Sequence, residues 1–177
     1  MDASTDFQNS LPVSSDALLA QLDDWGIEYK LHQHVPLRTV ADAKTVEAEI
    51  SGGQAGAFHV KNLYLRDKKK RNHLVTLEQD REIDLKALGA NLGVGNLSFG
   101  SADRLMDHLG IRPGAVSPLA MVTGQKQGVT FYLDRAAQDA DMIYMHPLVN
   151  DRTVAMRPEA LLTVLERIGA SVTWLDL

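Results

Sequence analysis

The sequence predicts an α+β fold in which helices flank a curved, mixed, largely antiparallel sheet of barrel-like shape. Eight short runs rich in β-branched and aromatic residues are separated by turn residues, and five other segments carry helical spacing. The two kinds of segment do not alternate regularly, which argues against a doubly wound parallel sheet.

Residues 1–13 are polar, aperiodic and interrupted by Pro12, so they read as a flexible tail, with residues 14–177 as a single domain. From Ser14 to Trp25, Leu18, Leu19, Leu22 and Trp25 fall on one helical face, and Gly26 is placed to end the helix. The same device recurs twice. Leu105, Met106 and Leu109 precede Gly110 with Ser101 as N-cap, and Leu161, Leu162, Leu165 and Ile168 precede Gly169 with Pro158 at the first helical position. Thr39–Ile50 and Asp84–Leu92 carry weaker helical patterns. The strand runs are Ile27–His32, His59–Arg66, His73–Leu77, Asn96–Phe99, Val129–Leu133, Met142–Met145, Thr153–Met156 and Val172–Leu175. The charged link Asp67–Asn72 reads as the solvated tip of an antiparallel hairpin.

Bulk numbers narrow the function. At 177 residues the chain matches the roughly 100–200 residues of one domain. Its 45% hydrophobic and 23% charged composition is that of a soluble globular protein, and no apolar run approaches the roughly 20 residues of a membrane span. The first residues lack the basic and apolar parts of a signal peptide, so a cytoplasmic location is expected. The absence of cysteine removes disulfides, thiolate zinc sites and a cysteine nucleophile. A net charge of −5 argues against indiscriminate nucleic-acid binding, DNA included, yet leaves room for a small basic patch.

A few residues point to chemistry. Lys61 stands in the apolar run His59–Leu65 and shares a strand face with Leu63 and Leu65, so its ammonium either snorkels to an edge or sits in a pocket. Asn62 should face the other way, so both can serve one ligand only if the strand bulges or ends there. Gly114–Pro118 is either a plain loop or a set of main-chain amides able to polarise a carbonyl. His146, before Pro147, is biased toward extended backbone at a strand end, as a structural histidine or a pocket residue. His32 and His34 have metal-ligand spacing but no third ligand, and neither a metal nor another cofactor is expected. No nucleophile elbow, phosphate loop or dinucleotide fingerprint is present. Arg66, Lys68, Lys69, Lys70 and Arg71 crowd the hairpin tip, either as a hydrated turn or as a local field for phosphates.

Taken together, His34-Val35-Pro36 with Thr39-Val40 and Ala43, then Lys61-Asn62-Leu63, then the Gly-x-x-x-Pro loop at Gly114–Pro118, then His146 resemble the YbaK/prolyl-tRNA-synthetase-associated domain family. The resemblance runs from about Ser14 to the C-terminus. It implies that family's fold and an aminoacyl-tRNA deacylase, which hydrolyses the ester between a wrong amino acid and the 3′-terminal adenosine. It implies that Lys61 holds the terminal nucleotide and that the backbone of Gly114, Ala115, Val116 and Ser117 positions the aminoacyl carbonyl. Asn62, typical of the alanine-removing branch, and His146, matching a pocket histidine there, point to Ala-tRNA(Pro). Pro118 and Thr39, also landmarks, are assigned with them to substrate binding. Leu37-Arg38 departs from the pattern, since relatives often carry an aromatic there. The expected partner is the tRNA(Pro) acceptor end, with the hairpin cations as contacts and prolyl-tRNA synthetase or an elongation factor as transient partners. A deacylase for Cys- or Ser-charged tRNA and a non-catalytic tRNA- or aminoacyl-binding module of the same fold are the competing readings.

Overall fold

A long central strand, Ala57–Asp67, organises the computed structural model, which describes residues 2–37 and 40–177, Val40 by its backbone only. The strands are β1 (Lys30–Gln33), β2 (Ala57–Asp67), β3 (Asn72–Glu78), β4 (Leu97–Phe99), β5 (Thr130–Asp134), β6 (Met142–Met145), β7 (Arg152–Met156) and β8 (Val172–Leu175). They form one sheet in the order β1-β7-β6-β2-β3-β5-β8, with β4 also on β2. The pairs β1/β7, β6/β7, β2/β3 and β2/β4 are antiparallel, and β2/β6, β3/β5 and β5/β8 are parallel. This is the mixed, mostly antiparallel sheet that the irregular alternation of strands and helices predicts.

The helices are α1 (Ser15–Asp24), α2 (Val40–Ser51), α3 (Leu85–Asn91), α4 (Ala102–Leu109), α5 (Met121–Gly124) and α6 (Pro158–Arg167). Side-chain caps fix three starts: Ser14 accepts from the Ala17 N–H at 3.1 Å, Asp84 from Ala87 at 2.7 Å and Ser101 from Arg104 at 3.4 Å. Gly110 ends α4 in the left-handed region at φ 66°, where a side chain would be strained.

Alternation along the strands separates two cores. Phe58 and Tyr64 of β2, Leu74 of β3 and Phe131 and Leu133 of β5 join α1, α4 and α6 in the larger one. Leu65, Val75, Leu77 and Tyr132 project the other way and meet Leu88 of α3 and Leu175 of β8 in the smaller one. Each fully buried leucine contributes roughly 1.5–3 kcal/mol relative to exposure.

One expectation needs correction. The N-terminal segment is not a loose tail. Thr5–Ser10 forms a 3-10 turn, Ala3, Ser4 and Gln8 are buried, and the Thr5 N–H and hydroxyl donate to the Asp151 carboxylate, the hydroxyl at 2.6 Å. These bonds join residues 146 positions apart, which local polarity cannot reveal. The Gly114 loop runs into a 3-10 turn at Pro118–Ala120, which leads directly into α5.

Candidate active site

The site forms where β2 loses a neighbour. On one edge β2 pairs with β3 over Val60–Arg66, while on the other it meets β6 over Ala57–His59 and β4 over Leu65–Asp67. Between those last two, that edge has no strand partner among the described residues. Main-chain groups alternate along the strand. The His59 carbonyl accepts from the Gln79 N–H on the β3 side and the Tyr64 carbonyl from the Gly100 N–H on the β4 side, both at 2.9 Å. The main-chain groups of Asn62 therefore face the gap.

A cavity of about 410 Å³ opens there, within the range of small-molecule sites. Lys61, Asn62, Gly114, Val116 and His146 line it together, so consecutive residues of β2, whose side chains alternate between its faces, border one space. α2 supplies another wall through Ala43, Val46, Glu47 and Ile50, whose spacing is one helical face. The Gln79 side-chain amide donates to Glu47 at 2.8 Å and ties this helix to the chain leaving β3.

Lys61 is half-buried, and its ammonium donates to the main-chain carbonyl of Arg81. Arg81 is held by an ion pair to the buried Asp134, with Nε 2.8 Å from Oδ2. The carbonyl thus orients the lysine with one of its three donors and leaves two for a ligand.

The Gly114 loop is built by alternation. Gly114 turns the chain at φ 92°, and Gly114 and Val116 face the cavity. Ala115, Ser117 and Pro118 are buried and do not line it. The Ala115 N–H closes a turn on the Arg112 carbonyl at 3.1 Å, and the Ser117 hydroxyl accepts from the Leu119 N–H at 3.2 Å. The expectation of consecutive amides from Gly114 to Ser117 therefore narrows, because the Ala115 amide is engaged elsewhere.

Asn62 fastens that loop to the sheet. Its Nδ2 donates to the Val116 carbonyl at 2.8 Å, and its Oδ1 accepts from the Thr76 hydroxyl at 2.6 Å. Thr76 is completely buried, so the amide is fixed from behind.

His146 directs Nδ1 at the Arg152 carbonyl, 2.8 Å away, which makes Nδ1 the protonated nitrogen and leaves Nε2 with a free lone pair. Burial holds its pKa below the usual histidine value, and nearby His34 acts in the same direction. The Arg152 carbonyl and Asp151 oppose the shift. The His34 ring, 6.2 Å from it, has Nε2 at 2.9 Å from the Thr153 hydroxyl.

His59 and Tyr144 stand out among the wall residues that the sequence does not single out. His59 stacks on Tyr144 with centroids 4.6 Å apart at 17°, and both line the cavity. Burial lowers the His59 pKa against the raising influence of Glu47, Glu78 and Asp80. The usable signals were their positions two residues before Lys61 and two before His146.

The hairpin cations stand apart. Lys68, Lys69 and Lys70 are exposed at the far end of β2, roughly 20 Å along the strand from Lys61. Arg71 is paired with the buried Asp67 at 2.7 Å. Thr39 lies outside the described residues. Among the described residues no three His, Cys, Asp or Glu side chains cluster at metal-binding spacing, and no helix is long and apolar enough to cross a membrane.

The chain is similar to known proteins over most of its length. A profile of the aminoacyl-tRNA editing domain matches residues 34–164. The prolyl-tRNA editing protein ProX of Acetoanaerobium sticklandii is 33% identical over 165 residues, 93% of this chain and 98% of that protein. The prolyl-tRNA synthetase associated domain-containing protein 1 of Bos taurus is 33% identical over 158 residues, 86% of this chain and 89% of that protein. Among solved structures, one described as a candidate trans-editing enzyme for prolyl tRNA synthetase superposes with TM-score 0.67 at 21% identity, over 92% of this chain and 96% of that one. The hypothetical protein APE2540 gives TM-score 0.65 at 20% identity, over 88% and 95% respectively. These two likenesses speak to the fold alone. The profile and the relatives establish the family: the chain belongs to the aminoacyl-tRNA editing domain family, and the expectation of an aminoacyl-tRNA deacylase stands on that membership.

Proposed function

We propose that the protein hydrolyses the ester joining a wrongly attached amino acid, alanine before others, to the 3′-terminal adenosine of tRNA(Pro). The observation that carries this reading is that Lys61 and Gly114 line one cavity at a break in the sheet. Similarity to a prolyl-tRNA editing protein supports the substrate class.

An aminoacyl ester is already reactive, so placing a water and stabilising the oxyanion suffices without a covalent nucleophile. Lys61 anchors the terminal phosphate or ribose with its two remaining donors. Main-chain amides of the Gly114 loop polarise the carbonyl, and Asn62 holds that loop in place. Water, assisted by the vicinal ribose hydroxyl, adds to the carbonyl carbon. The ester C–O bond then breaks, and the ribose oxygen takes a proton as alanine leaves. The lone pair of His146 Nε2 is suited to accept a hydrogen bond from the α-ammonium of the aminoacyl group.

Selectivity follows from size. A synthetase site discriminates a methylene or so by only about 1–3 kcal/mol, so it cannot strongly reject alanine. Val46, Ile50, Val60 and Val116 wall the cavity, and a site that admitted alanine while excluding proline would act as a second sieve. The test is release of labelled amino acid from Ala-, Ser-, Cys- and Pro-tRNA(Pro). Alanine release well above the buffer rate, with Pro-tRNA(Pro) spared, supports the proposal. Faster release of cysteine or serine would reassign the substrate, and tRNA binding without release would make the chain a binding module.

A further inference from the structure

Phe99 is the one aromatic among the large apolar side chains exposed on the described residues, 65% accessible. It ends β4 directly opposite Leu65, which is fully buried. Directly opposed residues share a sheet face. Leu85, Leu88 and Leu92 cover that face at Leu65 and Leu97, and Phe99 lies outside their cover.

The surroundings of Phe99 indicate what covers it. Lys61 is on the same face, four residues back along β2, a strand distance of roughly 13 Å. In the other direction, two residues along β4, Leu97 pairs with Asp67, which opens the turn bearing the exposed Lys68, Lys69 and Lys70. An exposed ring therefore stands between the cavity and a cationic turn, on a chain whose net charge is −5. Aromatic faces that stack bases, together with cations that neutralise phosphates, are the two parts of a single-stranded nucleic-acid site. A purely apolar partner would not need the lysines, and an acidic peptide would not need the ring.

We propose that Phe99 is a stacking platform for an unpaired base of the tRNA 3′ strand, between the terminal adenosine at Lys61 and an acceptor stem whose phosphates meet the Lys68–Lys70 turn. This rests on the deacylase reading and extends it beyond the cavity.

The test measures dissociation constants of the wild type, Phe99→Ala and Phe99→Tyr for uncharged tRNA(Pro), intact or lacking its unpaired 3′ nucleotides. The same preparations are assayed for alanine release. Loss of one base stack should weaken binding of intact tRNA by about 5- to 150-fold in Phe99→Ala. The shortened tRNA should bind both proteins equally, and Phe99→Tyr should bind intact tRNA as the wild type does. Unchanged binding of intact tRNA by Phe99→Ala, or equal weakening for both tRNAs, overturns the proposal. So does a dimer that Phe99→Ala dissociates without change in tRNA affinity. If the wild type releases alanine and Phe99→Ala binds normally, the platform alone fails. If the wild type releases none while Phe99 still governs tail-dependent binding, the deacylase reading alone fails.

Discussion

Removing the Asn62 side chain tests how the two walls of the cavity are joined. The Asn62 amide makes two hydrogen bonds, to the Val116 carbonyl and from the Thr76 hydroxyl, and Thr76 has no solvent exposure. Each neutral hydrogen bond is worth about 1 kcal/mol net, and a buried group left without a partner costs about 1–3 kcal/mol. Asn62→Ala should therefore destabilise the protein by about 2–4 kcal/mol, and Thr76→Val by about 1–2 kcal/mol. The double variant has no stranded hydroxyl, so its loss should fall short of the sum of the single losses by about 1 kcal/mol or more. Urea unfolding reads this directly. With a slope of about 1–3 kcal/mol/M, a 2 kcal/mol loss moves the midpoint by roughly 1 M with the slope unchanged. Alanine release should fall in Asn62→Ala, because the Gly114 loop is no longer held to β2, while Thr76→Ser keeps the hydroxyl and the rate. Single effects that add within about 0.5 kcal/mol would refute the linkage.

Gly114→Ala should lower alanine release more than tenfold while costing only about 1–2 kcal/mol of stability. Its φ of 92° disfavours a side chain, yet an added Cβ would meet nothing nearer than Asn150 Nδ2 at 3.7 Å, and a wild-type rate would contradict the loop's role. Burial alone would raise the Asp67 pKa, but the Arg71 N–H, the Arg71 guanidinium and His73 outweigh it and hold the carboxyl at about 2. Its contribution to stability is therefore complete above the unfolded value of 3.8 and is lost as pH falls toward about 2. Asp67→Asn should flatten the acid limb of the unfolding profile in that window, and an unchanged limb would argue against it. An NMR titration of His146 should give a midpoint below the unperturbed 6.5. Its neutral form then adds stability that is present above 6.5 and declines on acidification, and a midpoint above 6.5 would contradict the burial argument.

Much of this was legible in the sequence because it is local. Ser14, Ser101 and Gly110 mark helix ends by the chemistry of single positions, and the strand runs announce themselves by composition. Lys61 stood out because an ammonium in an apolar run needs a reason. The cavity was less legible, because it comes from an interruption in pairing between β6 and β4 that no single element encodes. That gap is how Lys61 and Asn62, on opposite faces of a regular strand, reach one space. His59 and Tyr144 escaped notice because each reads as an ordinary strand residue, and only parallel pairing of β2 with β6 stacks them. The resemblance supplied the order of the landmarks, but it did not separate the cavity-facing Gly114 and Val116 from the buried Ala115 and Ser117.

Single-turnover release of labelled alanine from Ala-tRNA(Pro), by the wild type and by Lys61→Ala, bears most directly on the cavity. Release by the wild type far above the buffer rate, cut by about 100-fold or more in Lys61→Ala with the fold intact by circular dichroism, is the predicted result. No release by the wild type, or equal rates in the two proteins, would contradict it.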